Sequence, residues 1–122
     1  MAPAAAQTQI SGATPFPLPP AGPCDNELLG GVLYPDSEVE PWVDVNPTDA
    51  NNLIAVWQQD RFSNGGSRAN AGGYSLDGGT NWTTFTFPNL TKCTQGAYAR
   101  ATEVFPCRVA NGQLWISRDR SH

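Results

Sequence analysis

The sequence is poor in charge and in histidine, and it has no long apolar run. Only 15% of its 122 residues are charged, and its single histidine is His122. With the only histidine at the last position, a Ser-His-Asp triad has no workable geometry. The net charge of −4 supplies no basic patch, which argues against a nucleic-acid partner. No apolar run approaches the roughly 18 residues of a membrane span.

Cysteine is also scarce, with one residue each at Cys24, Cys93 and Cys107. Three cysteines allow at most one internal disulfide, and none of them has the C-x-x-C spacing of a zinc site. We predict a bridge between Cys24 and Cys93 that ties the N-terminal tail to the domain. The alternative is that all three cysteines are reduced.

The N-terminal stretch "MAPAAAQTQISGATPFPLPPAGPC" is rich in alanine and proline. It has no Lys or Arg near its start and no continuous apolar core, so it is not a signal peptide as written. We predict that residues 1–29 form an extended or disordered tail and that the domain occupies residues 30–122. The expected location is secreted or extracytoplasmic, with an export signal that is either trimmed off or wrongly assigned in this sequence.

Glycine and proline are plentiful, with 12 and 11 residues, and they separate short β-rich segments. This composition favours an all-β domain, and no segment has a sustained helical period. We predict four strands between residues 38 and 87, at 38–45, 53–59, 74–76 and 82–87. Residues 46–52 form the first turn, and 60–73 form a long polar loop whose end is also open to a strand assignment.

A loose internal repeat suggests a second unit of the same kind. The stretch "EPWVDVNPTDANNLIAVW" at 40–57 and the stretch "EVFPCRVANGQLWIS" at 103–117 share one order of features. Each has a glutamate, an apolar strand, a turn with asparagine, and a second strand that begins near a leucine. A period of about 60 residues fits a four-stranded blade with a long connection.

The stretch "SLDGGTNW" at 75–82 concentrates turn chemistry in eight residues. A tight hairpin needs positive φ, which Gly78 and Gly79 adopt without steric cost. Asp77 and Ser75 can accept hydrogen bonds from backbone amides of the turn, and Trp82 can fold over it. The stretch therefore predicts a self-contained fastener between the third and fourth strands.

The same stretch matches the Ser-x-Asp-x-Gly-x-x-Trp signature of the Asp box, through Ser75, Asp77, Gly79 and Trp82. The wider sequence from about residue 30 to 102 resembles the first blade of bacterial sialidase-like (BNR-repeat) β-propellers. This resemblance implies about one and a half four-stranded antiparallel blades, with one blade at 30–92 and a partial second blade at 93–122. In that family the Asp box is structural and lies away from the catalytic centre.

The candidate site is the rim where the first two strands meet. Antiparallel pairing brings Glu38 and Glu40, which open the first strand, close to Asp60 and Arg61, which close the second. A carboxylate and a guanidinium at this rim can grip an acidic sugar or serve as acid and anchor. Asp60, Arg61 and Glu40 are therefore the candidate catalytic residues. The alternative is an exposed salt bridge that caps the strand ends.

The resemblance carries further expectations for this site. Similar sialidases use an arginine cluster for the substrate carboxylate, a tyrosine nucleophile paired with a glutamate, and an aspartate acid/base. Their first blade carries an Arg-Ile-Pro motif, where this chain has Glu40, Pro41 and Trp42. The pair Asp60 and Arg61 falls near the strand-end arginine of the family by position.

Three hypotheses for the function follow. The chain is a fragment of a sialidase-like protein whose parent is an exo-acting glycoside hydrolase on terminal sugars, and alone it is inactive. Alternatively, it belongs to a non-catalytic propeller that binds carbohydrate or protein, which the substitution by Glu40 favours. A third alternative is a truncated gene product without activity, as the charged end "RDRSH" suggests.

The expected partner is a carbohydrate or glycoconjugate, and no cofactor is expected. Calcium is the one metal alternative, because "DVNPTDANN" at 44–52 offers several oxygen ligands, although it lacks the glycine of an EF-hand loop. An incomplete propeller leaves an open sheet edge and an uncovered apolar face. We therefore predict that the isolated chain is marginally stable, aggregates or self-associates.

Overall fold

The computed structural model describes residues 7–18, 24, 30–108 and 114–121, and from residue 103 onward it describes the backbone. The described residues form six strands, at β1 (Leu33–Asn46), β2 (Asp49–Phe62), β3 (Ser67–Ser75), β4 (Thr83–Thr86), β5 (Arg100–Arg108) and β6 (Leu114–Ser121). A short 3₁₀ helix at Lys92–Thr94 lies between β4 and β5. No α-helix occurs in the described ranges.

All strand pairs in the sheet are antiparallel. The first four strands follow one another in space, each paired with the next along the chain. β5 joins β3 through the pair Ser67 and Ala101, and β6 pairs with β5. The prediction of an all-β fold is therefore confirmed, in the form of an open antiparallel sheet.

The predicted loop at 60–73 is wrong in its extent, because β3 begins at Ser67. This strand is rich in alanine and glycine, which have low β-propensity, so its sequence resembles a loop. Close packing explains the small residues. A Cβ atom added to Gly72 would lie 2.6 Å from the carbonyl oxygen of Ala55 and 2.8 Å from the ring of Phe85. Tertiary packing thus selects residues that local propensity disfavours.

The sheet buries side chains on both of its faces. One cluster contains Ile54 and Val56 with Phe87, Leu90 and Ala101. The other contains Ala55, Trp57 and Ala71, and partly buried Ile10 and Trp82 pack against it. Successive residues of β2 pack into the two clusters in turn. Both faces of this strand are therefore buried, which explains its continuous run of apolar residues.

The N-terminal segment thus contributes to the fold, since Ile10 covers one face of the sheet. A disulfide joins Cys24 to Cys93, with a Cα–Cα distance of 4.5 Å across 69 residues of chain. The side chain of Cys107 lies outside the described part. The remainder of the predicted 1–29 tail, at 1–6, 19–23 and 25–29, also lies outside it.

β1 forms one end of the strand order and carries exposed apolar side chains, at Tyr34, Trp42, Val43 and Val45. The same strand has three interruptions in its pairing register with β2, and it contains Pro41. Bulges and proline are devices that blunt a sheet edge against pairing with another chain. Self-association through this edge stays a prediction.

In the described part of the chain, no helix is long and apolar enough to cross a membrane.

Candidate functional site

Three acidic residues on β1 and β2 adopt left-handed backbone conformations. The φ angles are 64° at Asp36, 53° at Glu40 and 62° at Asp60. Asp36 and Glu40 lie inside the register shifts of β1, where the regular ladder is interrupted. Such conformations cost about 1–3 kcal/mol each, and bulges redirect side chains. The strained backbone conformations at these positions therefore bring acidic side chains together at this end of the β1–β2 pair.

Asp60 is the centre of this cluster, and its side chain is completely buried. The carboxylate accepts hydrogen bonds from the Thr14 hydroxyl at 2.5 Å, the Gln59 amide at 2.8 Å and the main-chain nitrogen of Asp36 at 2.9 Å. It also forms an ion pair with Arg68, at 3.4 Å from Nη1 to Oδ2. A buried carboxylate requires this set of donors and a cation, because its desolvation is costly.

This geometry differs from the exposed rim salt bridge that was the alternative interpretation of Asp60 and Arg61. The ionic partner of Asp60 is Arg68, whose side chain is also fully buried. Arg61 is half-buried and donates from Nη1 to the side-chain oxygen of Gln58 at 2.9 Å. Asp60 and Arg61, although adjacent in sequence, therefore have different side-chain partners.

Glu40 and Arg61 are linked by hydrogen bonds to the same side-chain amide, that of Gln58. The amide nitrogen of Gln58 donates to the Glu40 carboxylate at 2.5 Å, while the oxygen of the same amide accepts from Arg61. Gln58 is buried, whereas Glu40 is exposed and Arg61 is half-buried. The buried amide of Gln58 therefore orients both the exposed Glu40 carboxylate and the half-buried Arg61 guanidinium.

Glu38 is linked to the buried Asp60 through the side-chain amide of Gln59. Its carboxylate and that of Asp60 share the amide nitrogen of Gln59, at 3.1 Å and 2.8 Å. Burial raises the pKa of Glu38, and the negative charges of Asp36 and Asp60 add to this, although the Gln59 hydrogen bond opposes it. Glu38 therefore keeps its proton to a higher pH than an ordinary glutamate, which suits a proton donor.

Sequence reasoning missed the two arginines that organise this end of the sheet. Arg68 lay in the predicted loop, and nothing in a polar stretch marks one residue as buried.

Arg100 is 4% exposed and lies over the ring of Phe62, with 3.8 Å from its Cζ to the ring centre. Its guanidinium donates to the side chain of Asn64 and to the carbonyl oxygens of Gly65 and Gly30. Arg100 thus fixes the loop after β2 against the start of β5.

Residues 75–82 form a turn that is closed by its own side chains. The Asp77 carboxylate accepts from the Thr80 and Asn81 main-chain nitrogens at 3.1 and 2.9 Å, and from the Ser75 hydroxyl at 2.8 Å. The Ser75 oxygen accepts from the Gly79 nitrogen at 2.9 Å. The indole of Trp82 donates to the Gly79 carbonyl at 2.8 Å. These bonds join β3 to β4.

The hydrogen bonds to Asp77 come chiefly from Asn81, and they lower the pKa of this carboxyl to about 2. A pKa lower in the folded chain means that the carboxylate stabilises the fold above pH ~4, and that this contribution is lost as the pH falls towards ~2. We expect the stability difference between the wild type and Asp77→Asn to shrink over that interval, in urea unfolding at stepped pH. Thr80→Ala, a neutral change in the same turn, should differ from the wild type by a constant amount. A difference for Asp77→Asn that stays constant from pH 5 to pH 2 contradicts this role.

The turn and the acidic cluster lie at opposite ends of β3. Arg68 is near the start of this strand and Ser75 is its last residue, seven positions later. At about 3.3 Å per residue, the two sites are about 23 Å apart. Asp77 therefore cannot act on a ligand that is bound beside Arg68, which leaves the turn a structural role.

The stretch proposed for calcium forms the hairpin turn between β1 and β2. The side-chain oxygen of Asn46 accepts from the nitrogen and hydroxyl of Thr48 at 2.9 and 2.8 Å, and Asp49 accepts from the Asn51 nitrogen at 3.0 Å. These oxygens are engaged in local turn bonds. Across the described residues, no three His, Cys, Asp or Glu side chains are grouped as metal ligands.

The fold and the two sites define an all-β protein with an open antiparallel sheet, a side-chain-latched turn at one end and a cluster of acidic and arginine side chains at the other. No protein-family model, curated protein or solved structure matches the chain.

Proposed function

We propose that this chain forms the first blade, and part of the second, of a sialidase-like Asp-box β-propeller, whose parent is an exo-acting glycoside hydrolase on terminal sugars. The observation that carries the proposal is the latched turn. It connects the third and fourth strands of an antiparallel series in which each strand pairs with the next. Four such strands are the unit from which β-propellers are built.

The acidic cluster supports sugar recognition at the opposite end of the sheet. Arg61 provides a partly exposed guanidinium, which is suited to the carboxylate of an acidic sugar. Glu40 is exposed beside it and is oriented by the buried Gln58 amide. Side chains oriented in this way lose little conformational freedom on binding, which favours a preorganised polar site.

The chemical roles follow from the environments of the carboxyl groups. Glu38, with its raised pKa, is the candidate proton donor to a leaving-group oxygen. Asp60 is buried against Arg68 and acts as a positioning residue, since it holds Gln59 and the backbone of Asp36 in place. Arg61 is the anchor. The tyrosine–glutamate couple of similar sialidases has no assigned counterpart, so we expect this chain to bind without turnover.

Ligand titration followed by saturation-transfer NMR tests the anchor role of Arg61. We expect the α-methyl glycoside of N-acetylneuraminic acid to bind more tightly than methyl β-galactoside. Arg61→Met should weaken the acidic glycoside by about tenfold, because a hydrogen bond between charged groups is worth about 1.5–3 kcal/mol. The matched control is Lys92→Met, which removes an exposed cation outside the cluster.

Equal affinity for the two glycosides, or an Arg61→Met variant that binds like Lys92→Met, would contradict the proposal. A reducing-sugar assay on the same samples tests for turnover: release of free sugar favours the glycoside hydrolase, whereas binding without release is expected of both candidates. The second candidate is a carbohydrate-binding propeller without catalysis. That candidate is supported by Glu40, since a carboxylate stands where the family has the arginine of its Arg-Ile-Pro motif.

A further inference from the structure

Residues 10–16, here called the strap, lie against the sheet beside the acidic cluster. At one end, Ile10 packs on the cluster of Ala55, Trp57 and Ala71. At the other end, Thr14 and Phe16 of the strap contact the acidic cluster. The strap therefore spans from the apolar core of one face to the buried ion pair.

The contacts of the strap with the cluster are polar and specific. Thr14 donates its hydroxyl to Asp60 and its main-chain nitrogen to Asp36, both at 2.5 Å. The ring of Phe16 lies 6.0 Å from the guanidinium carbon of Arg68. Two adjacent donors on two carboxylates are also what a sugar presents through its hydroxyls.

A half-open cavity of about 270 Å³ lies between the strap and the sheet. Ser11, Gly12, Ala13 and Pro15 line it on the strap side, and Trp57, Gln59 and Phe85 are among the residues on the sheet side. A Cβ atom added to Gly12 would have no neighbour within 4 Å. A segment held at two points above a void has few buried contacts to lose, and such segments open locally at low cost.

We propose that the strap is an internal occupant of a ligand site formed by Asp36, Asp60 and Arg68, and that a polyhydroxylated ligand binds there when the strap lifts. The proposal rests on the proposed function, because it assigns a sugar to the position that Thr14 and Phe16 now fill. It adds a regulatory element, since access to the buried pair depends on the state of the strap.

Two features make the displacement reversible. Pro15 in the strap and Pro17 directly after it restrict the free segment, so it loses less entropy when it returns to the sheet. The Cys24–Cys93 disulfide keeps the displaced segment near its site, which gives it a high effective concentration. A ligand therefore competes with a tethered occupant. Its apparent association constant equals the intrinsic constant multiplied by the fraction of chains in which the strap is open.

Arginine-specific labelling with phenylglyoxal, read by mass spectrometry, tests the strap in the full chain. In the wild type Arg68 is completely buried, and we expect it to react slowly. In Thr14→Val/Phe16→Ala, which removes the hydroxyl and the ring, its labelling rate should rise by about tenfold or more. Thr8→Val makes the same hydroxyl change at an exposed position of the N-terminal segment and should leave the rate unchanged.

Arg100 is the internal standard, because it is buried by contacts remote from the strap. An unchanged Arg68 rate in the double variant overturns the proposal. A parallel rise at Arg68 and Arg100 also overturns it, because the strap is then part of the global fold rather than a removable cover.

Addition of the sialic acid methyl glycoside to the double variant separates this proposal from the proposed function. Renewed protection of Arg68 by the glycoside supports both. Exposure of Arg68 that the glycoside does not reverse supports the strap as a cover and overturns the sugar as its occupant, while the proposed function is decided by the Arg61→Met titration. A sugar that binds the wild type through Arg61, with Arg68 unreactive in every variant, overturns the strap alone.

Discussion

Asp60→Asn is expected to lower the free energy of unfolding by about 3–5 kcal/mol, as measured by urea denaturation at neutral pH. The substitution is nearly isosteric, but it removes the negative charge from the buried ion pair with Arg68. It also replaces an acceptor-only group that receives hydrogen bonds from Thr14, Gln59 and Asp36 with an amide. Because a domain of this size is stable by about 5–15 kcal/mol, the loss is a large part of the total.

Asp49→Asn is the matched control, since it makes the same change on the same strand at an exposed position. Its effect should stay within about 1 kcal/mol. A double-mutant cycle with Arg68→Met isolates the pair, and we expect a coupling energy of about 1–3 kcal/mol. Additive effects of Asp60→Asn and Arg68→Met, or an Asp60→Asn variant as stable as Asp49→Asn, would show that the pair does not hold this end of the sheet.

Removal of the disulfide in Cys24→Ser/Cys93→Ser is expected to lower the free energy of unfolding by about 4 kcal/mol. The two cysteines are 69 residues apart, and closing a loop of that length removes much of the entropy of the unfolded chain. The bond also ties the chain beyond the strap to the 3₁₀ helix that follows β4. We therefore expect hydrogen exchange in residues 10–16 to accelerate in this variant.

Cys107→Ser is the control for this prediction, because it makes the same chemical change at the cysteine outside the bond. It should unfold at the same urea concentration as the wild type. If Cys24→Ser/Cys93→Ser loses less than about 1 kcal/mol, or loses no more than Cys107→Ser, the disulfide does not hold the N-terminal segment to the sheet.

The sequence is most informative where structure is determined locally. The hydrogen bonds of Asp77 and Ser75 lie within a few residues of each other, so the composition and spacing of the turn were enough to predict its bonding. The alternating β-rich segments likewise predicted an all-β fold. The limits of β1 and β2 were underestimated because both strands continue into polar and acidic residues.

The acidic cluster could be predicted only in part, because its contacts join distant segments. Proximity of Glu38 and Glu40 to Arg61 follows from antiparallel pairing of neighbouring strands. Burial of Asp60 against Arg68 depends on the pairing of β2 with β3, and β3 has the composition of a loop. The contact of Thr14 with Asp60 spans 46 residues, and no pattern in an Ala/Pro-rich segment marks that threonine.

The central claim is that the working end of the sheet is the cluster of Asp36, Glu40, Asp60, Arg61 and Arg68, and that the latched turn is a fastener. A ¹H–¹⁵N NMR titration of the full chain with the sialic acid methyl glycoside tests this most directly. We predict shifts confined to the amides of residues 36–40, 58–61 and 68, together with the strap. Shifts centred on residues 75–83, or no shifts at any residue, would contradict it.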